Sequence, residues 1–188
     1  MKKHEYIKWS FLLLFVVMFV LPFFSEEGYS ILKHTTSELG GQNTKNSFIM
    51  NISFILLGLS SIIEGGIYLK GFLMHRVLLI LFGLSLIGAG VFSHMPIYDG
   101  PYSQREDYYH SIASSLTGFT FTMFAISSAF IERTKKRRVI AVSVAILGII
   151  LSLLMIYLNE YAGLWQRLIF ISSFTWIIYF LNGMKKKT

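Results

Sequence analysis

His34 and Glu38 stand four apart in the stretch "HTTSEL", so on a helical turn they would share one face. His94 closes an apolar run, and the "MPIYDG" that follows sets Asp99 in a Pro/Gly turn. His110 opens the next apolar run. Two or three imidazoles with a carboxylate form a ligand set for zinc or another divalent metal, here His34, His94 and His110. Such a metal would bring the pKa of a bound water near neutrality and drive hydrolysis. Without a metal, Glu38, Asp99 and His110 are candidates for general acid and base, because histidine titrates near physiological pH. The third reading is plain hydrogen bonding to water, backbone or lipid phosphate. No fixed-spacing signature such as H-E-x-x-H is present, so all three readings stand open.

Other polar residues belong to the same candidate set. Ser37 lies beside Glu38, and His110 and Ser114 are spaced for contact on one helix face. A serine nucleophile activated by histidine is one reading of that pair, and helix packing is the other. Asn51 falls about one turn inside an apolar run, where a carboxamide must point into a bundle. Arg167, after "GLWQ", begins the last apolar run; it could neutralise Glu38 or Asp99, or clamp an anionic group. Glu64, in "IIEGG", is an acid within a span, with Lys70, Arg76 and Arg133 as expected ion-pair partners.

The elements that must position these groups follow from composition. Of 188 residues, 54% are apolar and only 14% charged, and cysteine is absent. A soluble domain carries charge at roughly a quarter of its positions. Here whole segments lack charge, and lipid leaves their backbone groups no partner outside a helix. The expected fold is all-α: one domain over residues 1–188, a bundle of six transmembrane helices. The spans are expected at about 7–24, 48–68, 77–92, 112–131, 139–158 and 164–181. The bulky Phe23 and Phe24 in "LPFFSEE" do not suit a signal-peptide cleavage site, so the first span is expected to be an uncleaved anchor.

Charge orients the bundle. With the N-terminus inside, thirteen of the 17 Lys and Arg residues fall on the inner side. The four outside are Lys33, Lys45, Arg105 and Arg167. Both termini are therefore expected in the cytoplasm. The same reasoning takes "ERTKKRR" as a topogenic loop that attracts anionic lipid, so no nucleic-acid partner is expected. The inner loops read as short and the first two outer loops as about twenty residues each, a length often functional. Small residues four apart (Ser61 and Gly65, Ser85 and Ala89, Ser114 and Gly118), joined by Gly83, Gly88 and Gly90, point to close packing among spans two to four.

"HTTSELGGQNTKNSFIMN" with "FILLG", then "GVFSH", "YHSIA" and "GLWQR", resembles in its order of motifs the bacterial membrane family catalogued as domain of unknown function 998. The resemblance runs from Tyr29 to Trp176. Its Ser-Glu-Leu-Gly signature matches Ser37, Glu38, Leu39 and Gly40, and its Asp and His elements match Asp99 and His110. The usual Phe-Pro before the Asp is displaced to "FSHMP". A fainter similarity extends to the Frag1/DRAM/Sfk1 group of six-span proteins, some linked to lipid remodelling. The resemblance implies six transmembrane helices in a bacterial plasma membrane and no particular activity. The expected function is to bind or modify a lipid headgroup or small amphiphile at the outer leaflet, by hydrolysis or transfer if it is chemistry at all. His34, Ser37, Asn51, His94, Ser114 and Arg167 would serve as binding residues. Membrane lipids are the expected partners. The alternative is a non-catalytic accessory, sensing or immunity protein, or a small transporter.

Overall fold

The computed structural model describes residues 4–98 and 100–185. Among these the chain is helical throughout, with no strand. Six long helices follow one another: α1 (Tyr6–Val20), α3 (Ser47–Tyr68), α4 (Leu73–Val91), α5 (Gln104–Ser128), α6 (Lys135–Tyr157) and α7 (Ala162–Lys185). The single-turn helix α2 (Thr36–Leu39) sits in the first long loop. Pro22 and its neighbours close α1 with a 3-10 turn, Leu21–Phe24, and a second such turn, Asn159–Tyr161, leads into α7.

Five segments are long and apolar enough to cross a membrane: Tyr6–Phe24, Ser47–Tyr68, Leu73–Val91, Lys135–Tyr157 and Asn159–Lys185. Outward-facing Val142, Ile146, Ile150 and Leu153 along α6 leave that helix greasy on the face turned away from the bundle. Contiguous apolar surface of this kind does not suit water. The chain is a multi-pass membrane protein.

The expected fourth span differs from what is observed. Hydropathy puts it at 112–131, whereas α5 begins at Gln104 and ends at Ser128. The Ser103 hydroxyl accepts from the Glu106 N–H, and Glu106 and Asp107 place negative charge in the first turn, where the helix dipole favours it. A hydropathy reading misses this polar start. The α4–α5 connection is correspondingly shorter, residues 92–103, than the twenty residues expected of it.

The long helices close into a ring in which each packs on the next, α1 on α3, then α4, α5, α6 and α7, with α7 back on α1. Aromatic side chains from α7 fill the middle. Phe174 packs against Phe11 of α1 and Phe82 of α4, with both ring centroids 5.6 Å away. Trp176 meets Phe121 and Phe124 of α5 edge-on. The tightest seam joins α3 to α4, as the small residues led us to expect. A Cβ on Gly83 would lie 2.6 Å from the Gly58 carbonyl oxygen, too close for any side chain. Gly118, by contrast, has nothing near it, so it is not part of a packed seam.

Helix ends on the side where His4 and Lys185 meet are locked together. The Lys185 ammonium lies 2.9 Å from the Glu64 carboxylate and donates to the His4 carbonyl. The other Glu64 oxygen accepts from the Ile7 N–H. Glu64 is thus ion-paired as expected, but with Lys185 of α7 in place of Lys70, Arg76 or Arg133. The reason is geometric: α7 returns beside α1 and α3, bringing its last residue onto a carboxylate that is 1% exposed.

Candidate functional site

At the opposite end, the loop of residues 25–46 folds over the bundle. Its helix α2 is set by a capping box: the Thr35 hydroxyl oxygen accepts from the Glu38 N–H, and the Glu38 carboxylate accepts from the Thr35 N–H at 2.6 Å. "TTSE" is thus the S/T-x-x-E pattern of a helix start. Gln166 of α7 holds the same turn from below, its Oε1 accepting from the Thr36 N–H at 2.6 Å and its Nε2 donating to the Ser37 hydroxyl.

Arg167 is the second fastening, where a partner for Glu38 or Asp99 or a clamp for an anionic group was expected. The side chain is 1% exposed, deep under the loop. Its guanidinium donates to the carbonyls of Met18, Ile31, His34 and Gly163 and to the Tyr29 hydroxyl, at 2.8 to 3.2 Å. No carboxylate pairs with it among the described residues. Burial pushes the Tyr29 phenol above its ordinary pKa, against the opposing pull of Arg167. The loop reaches α7 so closely that a Cβ at Gly163 would strike the His34 carbonyl.

Gln42 ties the loop's other edge to the α4–α5 connection. Gln42 accepts from the Ser103 N–H and donates to the carbonyls of Ser93 and Ser103. Asn51, as expected, points beneath the loop and donates to the Gly40 carbonyl.

The expected convergence of histidines and acids does not form as one cluster; the groups divide in two. The His34 ring lies tilted against Tyr29 and its Nδ1 accepts from the Ser30 N–H, on the α7 side. Glu38 is engaged in its cap. His94 and His110 meet instead at the α4–α5 hairpin, their rings edge-to-face with centroids 5.2 Å apart. Asp107 stands 4.0 Å from His94 and accepts from the Met95 N–H. Among the described residues no hydrogen bond or ion pair joins the two groups, and no three His, Asp or Glu side chains are arranged to hold a metal. The set His34, His94 and His110 therefore does not fit a common zinc centre, because the loop fastens His34 to α7. Asp99 lies outside the described residues.

His110 lies two residues before the apolar stretch beginning at Ile112 and is almost wholly buried. Its Nδ1 faces the Phe92 carbonyl at 2.9 Å, which requires that nitrogen to carry hydrogen, while Nε2 has no partner. Burial pulls its pKa below the ordinary value; the Phe92 carbonyl opposes and His94 reinforces that shift.

Below α2 the ring holds a cavity of about 140 Å³ that opens to the surface beside the exposed Gly118. Its walls are Phe54, Phe82, Phe121, Phe170 and Phe174, and Ser37 and Gln166 stand at its outer end. Ser114 lines it too, beside Thr117 and Gly118, and not at His110. Sequence reasoning overlooked Gln166, Tyr29, Gln42 and Ser173. Only "TTSE" carried a local signal for this arrangement.

The profile of DUF998, described as a protein of unknown function, matches residues 12–181. The chain belongs to the DUF998 family. No curated protein and no solved structure matches it. Membership brings no activity with it, so the function of this DUF998 protein has to be argued from its own cavity and loop.

Proposed function

We propose that this DUF998 protein crosses a bacterial plasma membrane six times, with both termini in the cytoplasm, and binds an amphiphilic molecule under its outer loop. The observation that carries the binding reading is the aromatic-walled cavity roofed by α2, with polar groups at its mouth. Apolar walls with a few placed polar groups are the usual make-up of a small-molecule site. Binding is favoured over catalysis because Glu38 and His110, the acid and base candidates, are held by separate partners on different sides of the roof.

Six crossings are supported by the ring. At about 1.5 Å per residue the 25 residues of α5 extend roughly 37 Å, enough to cross the hydrocarbon core. The α5 helix also packs between α4 and α6. The orientation is supported by the excess of Lys and Arg at the end where His4 and Lys185 meet.

Two experiments test these statements. The chain has no cysteine, so single cysteines can be labelled in intact cells without interference. Asn43→Cys and Tyr102→Cys should react with an impermeant maleimide from outside, and Gly71→Cys and Arg133→Cys only after permeabilisation. Equal labelling at Tyr102 and Arg133 would remove α5 as a crossing. For binding, Gly118→Leu should narrow the cavity, because Gly118 lines it and a Cβ there meets no neighbouring atom. The purified wild type should carry an amphiphile that the variant lacks by mass spectrometry. Identical extracts would sink the binding reading.

A further inference from the structure

The polar residues lining the cavity are Ser37, Ser114, Thr117, Ser152, Gln166 and Ser173, and none of them ionises. The nearest candidate countercharge in sequence, Arg167, spends its guanidinium on protein oxygens. A charged group brought into this space would lose its hydration and find no opposite charge, which is costly in an apolar interior. The cavity therefore selects against ions.

Ser173 adds the positive half of the argument. Serines within these helices satisfy their hydroxyls by donating to the carbonyl four residues back, as Ser53, Ser60, Ser61 and Ser172 do. Ser173 does not: it is 4% exposed, lines the cavity, and its Oγ has no partner. Seven residues separate it from Gln166 on α7, about 10 Å along the axis. An unpaired hydroxyl at that depth is destabilising unless something in the cavity meets it. At the mouth, Ser37 and Gln166 already pair with each other. The free polar capacity thus lies deep.

We infer that the cavity's occupant is an uncharged single-chain amphiphile whose hydroxyl or ester oxygen descends to Ser173. This rests on the reading of the cavity as a binding site and names the class of ligand. A cavity of about 140 Å³ has room for part of one chain or a small neutral head. An anionic headgroup clamped by Arg167 is incompatible with this arrangement.

The test is photolabelling of the full-length protein in detergent with a diazirine-bearing long-chain alcohol, competed by monooleoylglycerol or by oleate at alkaline pH. Monooleoylglycerol should displace the label from the α5 and α7 peptides at concentrations at least tenfold below oleate. Ser173→Ala should weaken that competition about fivefold, the worth of one hydrogen bond, while thermal stability stays equal or rises. Equal competition by oleate, or an unchanged Ser173→Ala, would overturn the inference while leaving a binding site in place. Labelling that persists in Gly118→Leu, or fails in the wild type, would overturn the site itself and the inference with it.

Discussion

The Arg167 guanidinium lies 2.9 Å from the carbonyl oxygen of His34, so the last long helix holds the backbone of a loop more than 130 residues earlier. That relationship assigns Arg167 to fastening the roof. Its planar fork reaches several carbonyls at once, a pattern an ammonium cannot copy. Arg167→Lys keeps the charge but should cost about 3 kcal/mol, through carbonyls left unpaired in a buried place. In detergent the variant should be cut faster by trypsin at Lys33 and Lys45 than the wild type. Unchanged cleavage would mean that charge alone holds the loop.

The Glu64–Lys185 pair closes the other end, where α1, α3 and α7 converge. Removing one partner of a buried pair strands the other charge, at about 3–5 kcal/mol. Glu64→Gln and Lys185→Met should each lower the thermal midpoint strongly. The double variant should recover much of the loss, since no lone charge remains. Strictly additive effects would show that the two residues do not act as a pair.

Helix packing gives a contrast between two glycines that look alike in the sequence. Gly83→Ala forces a methyl onto the Gly58 carbonyl and should destabilise by about 1–3 kcal/mol through overpacking. Gly118→Ala meets open space and should be near neutral. Thermal unfolding of the two purified variants under one set of conditions checks this. Equal losses would argue against the close α3–α4 seam.

How much of this was legible depended on whether the cause is local. Long apolar runs mark α1, α3, α4, α6 and α7 because lipid demands them over the whole length of a span. The start of α5 was hidden, since "SQRED" makes a helix by capping and dipole, which hydropathy does not register. Glu38 looked like chemistry because a carboxylate near a histidine invites it. The same four letters, "TTSE", also spell a capping box, and that is what they build. The fastening by Arg167 could not be read at all, because its partners are mostly backbone carbonyls, which every residue has. Ser173 is one serine among many until a cavity surrounds it.

His110 provides a prediction whose sign is fixed by burial. Its pKa in the folded protein lies below the ordinary value, so the unfolded chain binds a proton more readily than the folded one. Stability is therefore fully present above about pH 6.5, the ordinary histidine value. It should fall as pH drops below that point, until the folded-state pKa is passed and the loss levels off. Protonation would put charge on the buried Nε2, which has no acceptor, beside the ring of His94. Thermal midpoints measured from pH 7.5 to 5 should decline in the wild type. In His110→Gln, which cannot take up a proton, the slope should be shallower over the same range. Parallel slopes for the two proteins would show that His110 is not the group that titrates.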